Sequence, residues 1–326
     1  MSKTKTAFIT GITGQDGSYL AEFLLKKNYQ VVGLISGKYD IGFNNIKNIQ
    51  KDLKLEPGDL LEKSSLQRII NKHKPQEIYN LAGLTFVPAS WEKPSLTLDI
   101  NTLGLARILE IIRDNYPKTK IYQATSAKIF GHPPESPQTE TTIISPIEPY
   151  GISKAASYYL IQSFRQQFNL FAVSGILYNH ESPRRGHDFV SRKITIHAAK
   201  IKLGLAKKLT LGNLDSQQDW GYAPDYIEAM WLMLQQKNPQ DYIIASGQLH
   251  SVRQVCQTAF SYLNLDYKKF VRIDKKFFRK TEAKATLGDV SKAKKVLNWQ
   301  PKTNFKKMIE IMVDHDLNLL KKGEKI

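Results

Sequence analysis

Short apolar, β-prone runs alternate with stretches of helical spacing through the first half of the chain. Ala7-Phe-Ile-Thr10 reads as a strand, and the apolar positions from Ser18 to Leu25 recur at the period of a helix. Val31 to Ile35 is a second strand, and Ile78 to Gly83 is a further one that ends in small residues. Leu103 to Arg113 is an amphipathic helix, and Lys120 to Thr125 is a strand that delivers Ser126 at its carboxyl end. The alternation runs from residue 6 to about residue 180 and predicts an α/β fold with a doubly wound parallel sheet. Beyond it the pattern loosens, and residues 179–212 and 241 to the end mix helices with irregular stretches. They predict a smaller mixed α/β lobe. The expected division is therefore 1–178 for a dinucleotide-binding domain of Rossmann type and 179–326 for a substrate lobe, with some chain crossing back to the sheet. The helix from Phe305 to Leu320 and those near Leu103 and Tyr158 supply core or interface.

Composition narrows the class. The chain has 326 residues, 41% of them hydrophobic, enough for a large core and about two domains. A single cysteine, Cys256, excludes an internal disulfide framework and fits a reducing compartment. No run approaches the ~20 apolar residues of a membrane span, and Met1 to Thr6 leads straight into a strand without room for a signal peptide. The expectation is a soluble, cytoplasmic protein. The net charge of +17 is spread along the chain, with no aromatic-interleaved basic motif. It reads as a solvated surface and a field that attracts an anionic substrate, with neither nucleic acid nor membrane as partner.

Candidate chemistry begins at Gly11-Ile-Thr-Gly14-Gln-Asp-Gly17, between a strand and a helix. Glycines in that context let the backbone approach a pyrophosphate, which then sits at the positive end of the helix. The second strand ends in Ser36-Gly37-Lys38 with no acid immediately present, which favours NADP over NAD; a solvated loop lysine is the other reading of Lys38. Gly58-Asp59-Leu60 suits a loop bordering the adenine, and Leu81-Ala82-Gly83 suits backbone laid against the cofactor. Further on, Tyr150 and Lys154 stand at i and i+4, one face of a helix. An ammonium so close to a phenol is expected to lower the phenol's pKa towards the range of a working base. With Ser126 upstream, this is the proton-handling set of a hydride-transfer enzyme, the alternative being a surface helix with chance spacing.

Together these residues resemble the extended short-chain dehydrogenase/reductases that act on nucleotide sugars, and within them the GDP-mannose 4,6-dehydratase family. The resemblance runs over nearly the whole chain, through Thr10 to Leu20, Asn169 to Val173, Asn179-His-Glu-Ser-Pro-Arg-Arg-Gly186, Leu211 to Asp215, Asp219-Trp-Gly221, Asp225 to Trp231 and His250-Ser-Val-Arg253. It implies a redox-neutral reaction on a nucleotide-diphosphate sugar, GDP-linked, with bound NADP or NAD. Tyr150 takes the proton of the sugar 4-hydroxyl, Lys154 supports the phenolate and Ser126 hydrogen-bonds at C4. The dinucleotide is implied to lie against Gly11, Thr13, Gly14, Gln15, Asp16, Gly17, Ser36, Lys38, Asp59, Leu60, Leu81, Ala82, Gly83, Tyr150, Lys154, Leu177, Asn179, His180 and Arg185. Substrate contacts are implied at Thr85, Ser126, Asn179, Val190, Lys193, Leu211, Gly212, Gln218, Arg253, Arg279 and Glu282.

Three positions depart from the family pattern. Lys128 stands where the family has the glutamate that alternates as base and acid in dehydration, so it serves only with a lowered pKa. Glu148 replaces a small polar residue; it either reaches the substrate or Lys128, or is a loop glutamate facing water. Gln218 replaces an arginine that holds the sugar-linked phosphates. These leave three readings open: a GDP-sugar 4,6-dehydratase with a repositioned acid/base, a GDP-sugar C4 oxidoreductase or epimerase, and a cofactor-bound protein without turnover. Ser36-Gly37 also lacks the family's paired arginines at a tetramer-building loop, so a homodimer is expected ahead of a tetramer.

Overall fold

In the computed structural model, which describes residues 4–37, 42–278 and 285–324, the chain folds around a seven-stranded sheet. Twelve strands occur among these residues: β1 (Thr6–Thr10), β2 (Gln30–Ile35), β3 (Leu53–Pro57), β4 (Glu77–Asn80), β5 (Lys120–Ser126), β6 (Ala172–Leu177), β7 (Asn179–Glu181), β8 (Leu209–Leu211), β9 (Gln217–Tyr222), β10 (Tyr242–Ile244), β11 (Leu249–Ser251) and β12 (Val271–Ile273). The large sheet has the order β10-β6-β5-β4-β1-β2-β3, and every pairing in it is parallel. Parallel strands need both faces covered, which is why β1 and β6 are buried along their whole length.

Alternate side chains serve opposite faces. Ala7 and Ile9 join Leu20, Leu24, Met230, Met233 and Trp299 on one side. Phe8 joins Leu66, Ile69, Leu105, Ile108, Ile112 and Ile161 on the other. The order reverses direction at β1, and the crevice at the carboxyl ends of β1 and β4 is where such sheets handle ligands. The fold is thus of Rossmann type, as the alternation predicts.

Two predicted elements differ in detail. The strand expected through Gly83 stops at Asn80, because the amides of Leu81 and Ala82 both donate to Thr10 Oγ1 at 3.1 Å and turn the chain out of the ladder. The helix expected from Leu103 is entered through a π-helical turn, Asp99–Leu103, and runs Gly104–Asn115.

The second lobe carries a three-stranded sheet, β11-β9-β7, and a two-stranded one, β12-β8. Its core lies among the helices Val190–Lys202, Val252–Tyr262 and Phe305–Lys321, with Ile194, Ala198, Val255, Phe260, Met308 and Met312 at the centre. A fully buried ion pair, Arg192 with Asp316, ties the first of these helices to the last. The chain then crosses back: the helix Ala223–Gln235 packs on the large sheet and β10 extends it beside β6. No helix among the described residues is long and apolar enough to cross a membrane.

Candidate functional site

Two adjoining cavities open at the carboxyl ends of the central strands. The first, of about 300 Å³, is lined by Gly11, Thr13, Gly14, Gln15, Asp16, Gly17, Ser36, Asp59, Leu60, Leu81, Ala82 and Gly83. All of these are expected cofactor contacts, whereas Lys38 lies outside the described residues. Gly11 has φ +71°, a left-handed conformation, and a Cβ on Gly17 would stand 2.1 Å from the Gly11 carbonyl oxygen. Those two glycines let the strand turn tightly into the helix Gln15–Lys26, whose amino end faces the cavity. Asp59 accepts from the Leu61 amide at 3.0 Å, which fixes the loop after β3. The expected Arg185 lines it too, and so do Leu34, Leu84, Thr85, Ile100, Arg184, Gly186 and Phe189, which were not expected against the cofactor.

The second cavity, of about 430 Å³, holds Ser126, Lys128, Tyr150, Lys154, Leu177, Asn179 and His180 together with Thr85, Val190, Lys193, Leu211, Gly212 and Gln218. Volumes of this size suit small-molecule ligands. Asp16, Leu81, Thr85, Arg185 and Phe189 border both cavities, so a ligand in one touches the wall of the other.

Tyr150 and Lys154 sit in the first two turns of the helix Pro149–Phe168. That helix is fixed by the Tyr150 amide donating to Ser90 Oγ at 3.2 Å, and by Asn101 donating to Ser153 Oγ at 3.0 Å. Lys154 Nζ is buried, donates to the Ala124 carbonyl at 2.9 Å and lies 5.8 Å from the centre of the Tyr150 ring. Ser126 hydrogen-bonds Tyr150 and accepts the Lys128 amide at 3.3 Å. Below them a buried chain, Thr10 to Asn80 at 2.7 Å and Asn80 to Gln123 at 2.7 Å, locks the ends of β1, β4 and β5 in register.

The electrostatics correct one expectation. Burial pushes the Tyr150 phenol up to about 12, against the pull of Ser126 and Arg185 and with Glu148 and Asp16 adding to the rise. The same burial brings Lys154 down to about 8, opposed by Asp16. The lysine was expected to lower the phenol; desolvation outweighs it, because both groups are buried and the ammonium spends a hydrogen bond on a carbonyl.

Other expected contacts fall differently. Arg253 is turned to Asp215 at 2.9 Å and borders neither cavity. Glu148 is half-buried rather than facing water, borders neither cavity, and its Oε1 is buried without a hydrogen-bond partner among the described residues. Arg279 and Glu282 lie outside the described residues. Gln218 does line the second cavity, where its Oε1 accepts from Asn179 Nδ2 at 3.2 Å, and Lys193 donates to the Thr210 carbonyl at 3.1 Å.

The carboxylates bordering the second cavity are Asp16, Glu181 and Asp188. Asp16 Oδ2 stands 2.8 Å from His180 Nε2. Glu181 accepts from Ser191 at 2.6 Å and pairs with Arg185 at 3.2 Å, an ion pair not aligned as a hydrogen bond. Asp188 is exposed. Sequence reading missed the edge-to-face pair Phe86 and Phe189, with ring centres 6.1 Å apart, and the lining residues Trp220 and Phe277. The signal for Phe189 was its place three residues past Gly186, at the end of a run already singled out. No group of three or more potential metal ligands occurs among the described residues.

Comparisons with known proteins point one way. The model of the GDP-mannose 4,6 dehydratase family matches residues 8–312. GDP-mannose 4,6 dehydratase 1 of Arabidopsis thaliana is 47% identical over 330 residues, covering 98% of this chain and 91% of the relative. The Homo sapiens GDP-mannose 4,6 dehydratase is 42% identical, covering 97% and 92%. Among solved structures, the UDP-glucose 4-epimerase of Thermus thermophilus in complex with NAD superposes with a TM-score of 0.84 at 26% identity, covering 95% of this chain and 98% of that one.

Proposed function

The chain belongs to the GDP-mannose 4,6-dehydratase family, and from that premise and the site geometry we propose that it dehydrates a GDP-linked hexose after transient oxidation at C4. The observation that carries this reading is the set Ser126, Tyr150 and Lys154 in the second cavity, which shares the wall residues Asp16, Leu81, Thr85, Arg185 and Phe189 with the cavity along the glycine turn. Ser126 and Tyr150 hold the C4 oxygen, Tyr150 receives its proton, and Lys154 stabilises the phenolate and relays the proton onward. When bound along the glycine turn, a nicotinamide dinucleotide supplies the hydride acceptor, and its oxidised ring adds a positive charge that favours the phenolate. The 4-ketone acidifies C5–H, and Lys128, on the turn after Ser126, is the group facing it. As a neutral amine it takes the C5 proton and returns it to the departing 6-hydroxyl, which leaves as water; the hydride lent from C4 then returns at C6, and the Tyr150 proton completes C5.

A second reading, a C4 oxidoreductase or epimerase of GDP-sugars, draws on one observation: an amine occupies the turn after Ser126, and Asp16 and Glu181 are engaged elsewhere. Mass spectrometry of GDP-mannose incubated with the holoprotein separates the two. Loss of one water supports dehydration; constant mass with altered stereochemistry, or solvent deuterium at C5 without loss of water, transfers the case to the second reading. Intact GDP-mannose with no reduced dinucleotide at any time defeats both. Tyr150→Phe should lower the rate by about 10²–10⁴-fold while leaving dinucleotide binding in place.

NADP is the preferred dinucleotide, since β2 ends without an acid and Arg184 and Arg185 border the cavity. Parallel fluorescence titrations with NAD and NADP test that choice, and tighter NAD binding would reverse it. The quaternary reading is a homodimer through the helix Pro149–Phe168 and the π-helical turn beside it, where Leu103, Ile152 and Tyr159 are exposed apolar residues. Light scattering should give twice the chain mass, falling to one on Ile152→Asp with Tyr159→Glu; a monomeric parent would refute it.

A further inference from the structure

His180 stands between two acceptors. Its Nδ1 is 2.8 Å from the main-chain carbonyl oxygen of Tyr178, and its Nε2 is 2.8 Å from Asp16 Oδ2. A carbonyl oxygen accepts and never donates, and so does an ionised carboxylate. Both ring nitrogens must then carry hydrogen, so the ring is an imidazolium unless Asp16 is protonated. Asp16 is suited to the charged form. It lies in the first turn of the helix Gln15–Lys26, at its positive end, and accepts a second hydrogen bond from Gln15 Nε2 at 3.1 Å. The ring itself is stacked on Tyr226, with centres 4.7 Å apart.

We propose that His180 is a positioning residue: as an imidazolium it clamps the glycine turn to β7 and cancels the charge of Asp16, which would otherwise oppose ionisation of Tyr150 to the phenolate that accepts the substrate proton. The location supports this. Asp16 borders both cavities and His180 the second, so the pair sits where dinucleotide and sugar meet. Gln15 joins the clamp by donating to the His180 carbonyl at 3.1 Å and accepting from Ser182 at 2.8 Å.

The charged neighbours agree. Burial pushes the Asp16 carboxyl up, yet His180 and Arg185 hold it below the usual carboxylate range. Burial pushes His180 down, yet Asp16 holds it above its ordinary value, with Arg185 opposing and the Tyr178 carbonyl assisting. Asp16 in turn opposes loss of the Tyr150 proton and favours the ammonium of Lys154. Tyr150 also faces Ser126, Arg185 and Glu148.

The inference rests on Tyr150 as the base of the proposed reaction, and its test has one arm independent of that. In the full-length holoprotein, the pH profile of substrate-dependent dinucleotide reduction should rise with Tyr150 ionisation. His180→Asn leaves the Asp16 charge uncompensated and should move that rise about one pH unit to the alkaline side. Asp16→Asn removes both charges, because an amide donates to a neutral His180, and should leave the rise near its original position whatever the absolute rate. A purely structural clamp would lower dinucleotide affinity in both variants and move neither profile. An unmoved His180→Asn profile, or equal shifts in the two variants, overturns the proposal. The second arm is nitrogen NMR of His180 near neutral pH, where two protonated ring nitrogens are expected and a neutral tautomer overturns it. If the parent reduces no dinucleotide with GDP-mannose, the proposed reaction fails, and the NMR arm still decides the charge state of the pair.

Discussion

At Lys128 the chain puts an amine on the same short turn as the Ser126 hydroxyl, bordering the cavity that holds Tyr150 and Lys154. One group must act as base and then as acid for water to leave, and a carboxylate does that without first having to shed a proton. Lys128→Glu should therefore raise water loss from GDP-mannose at least about tenfold, measured as the rate of appearance of the dehydrated mass. An equal or slower rate would show that Lys128 does not limit that step. Much of this site was legible in the residues themselves. The Tyr150 and Lys154 spacing needs only helix geometry, and the glycine turn needs only a strand before it and a helix after it. Other features were not legible. The proton affinity of Tyr150 is set by burial, which depends on the whole fold, and the partner of His180 lies 164 residues away.

Among the elements, two buried acids hold the second lobe in place. Asp219 on β9 accepts from the Ser246 amide at 2.7 Å, its hydroxyl at 2.6 Å and the Gly247 amide at 2.9 Å, so it braces the turn between β10 and β11. Asp316 pairs with Arg192 across the helices Val190–Lys202 and Phe305–Lys321, both side chains being almost wholly buried. Removing one partner of such a pair strands the other charge. Asp316→Ala should cost about 3–5 kcal/mol in urea unfolding, whereas a cost below about 1 kcal/mol would mean that solvent already reaches Arg192. The long strands β1, β2 and β5 were readable from their own apolar runs. The three-residue strands β7, β8, β10, β11 and β12 were not, since such a run has too few positions to show a period and is a strand only by virtue of its neighbours.

For the molecule as a whole, the net charge of +17 suits an anionic substrate, and the field of the surface steers encounter rather than holding the fold together. The division near residue 178 captures where the alternating pattern ends, but it does not describe two detachable bodies. The chain passes to the second lobe at β7, returns with the helix Ala223–Gln235 and β10, leaves again at β11, and comes back once more with the helix Ser291–Leu297 before its final helix. A door that swings needs its leaf hung from one side, and here the two halves are stitched together several times over. Adjustment of the second cavity to a ligand is then a matter for its lining side chains, among which the rings of Phe86 and Phe189 meet edge to face.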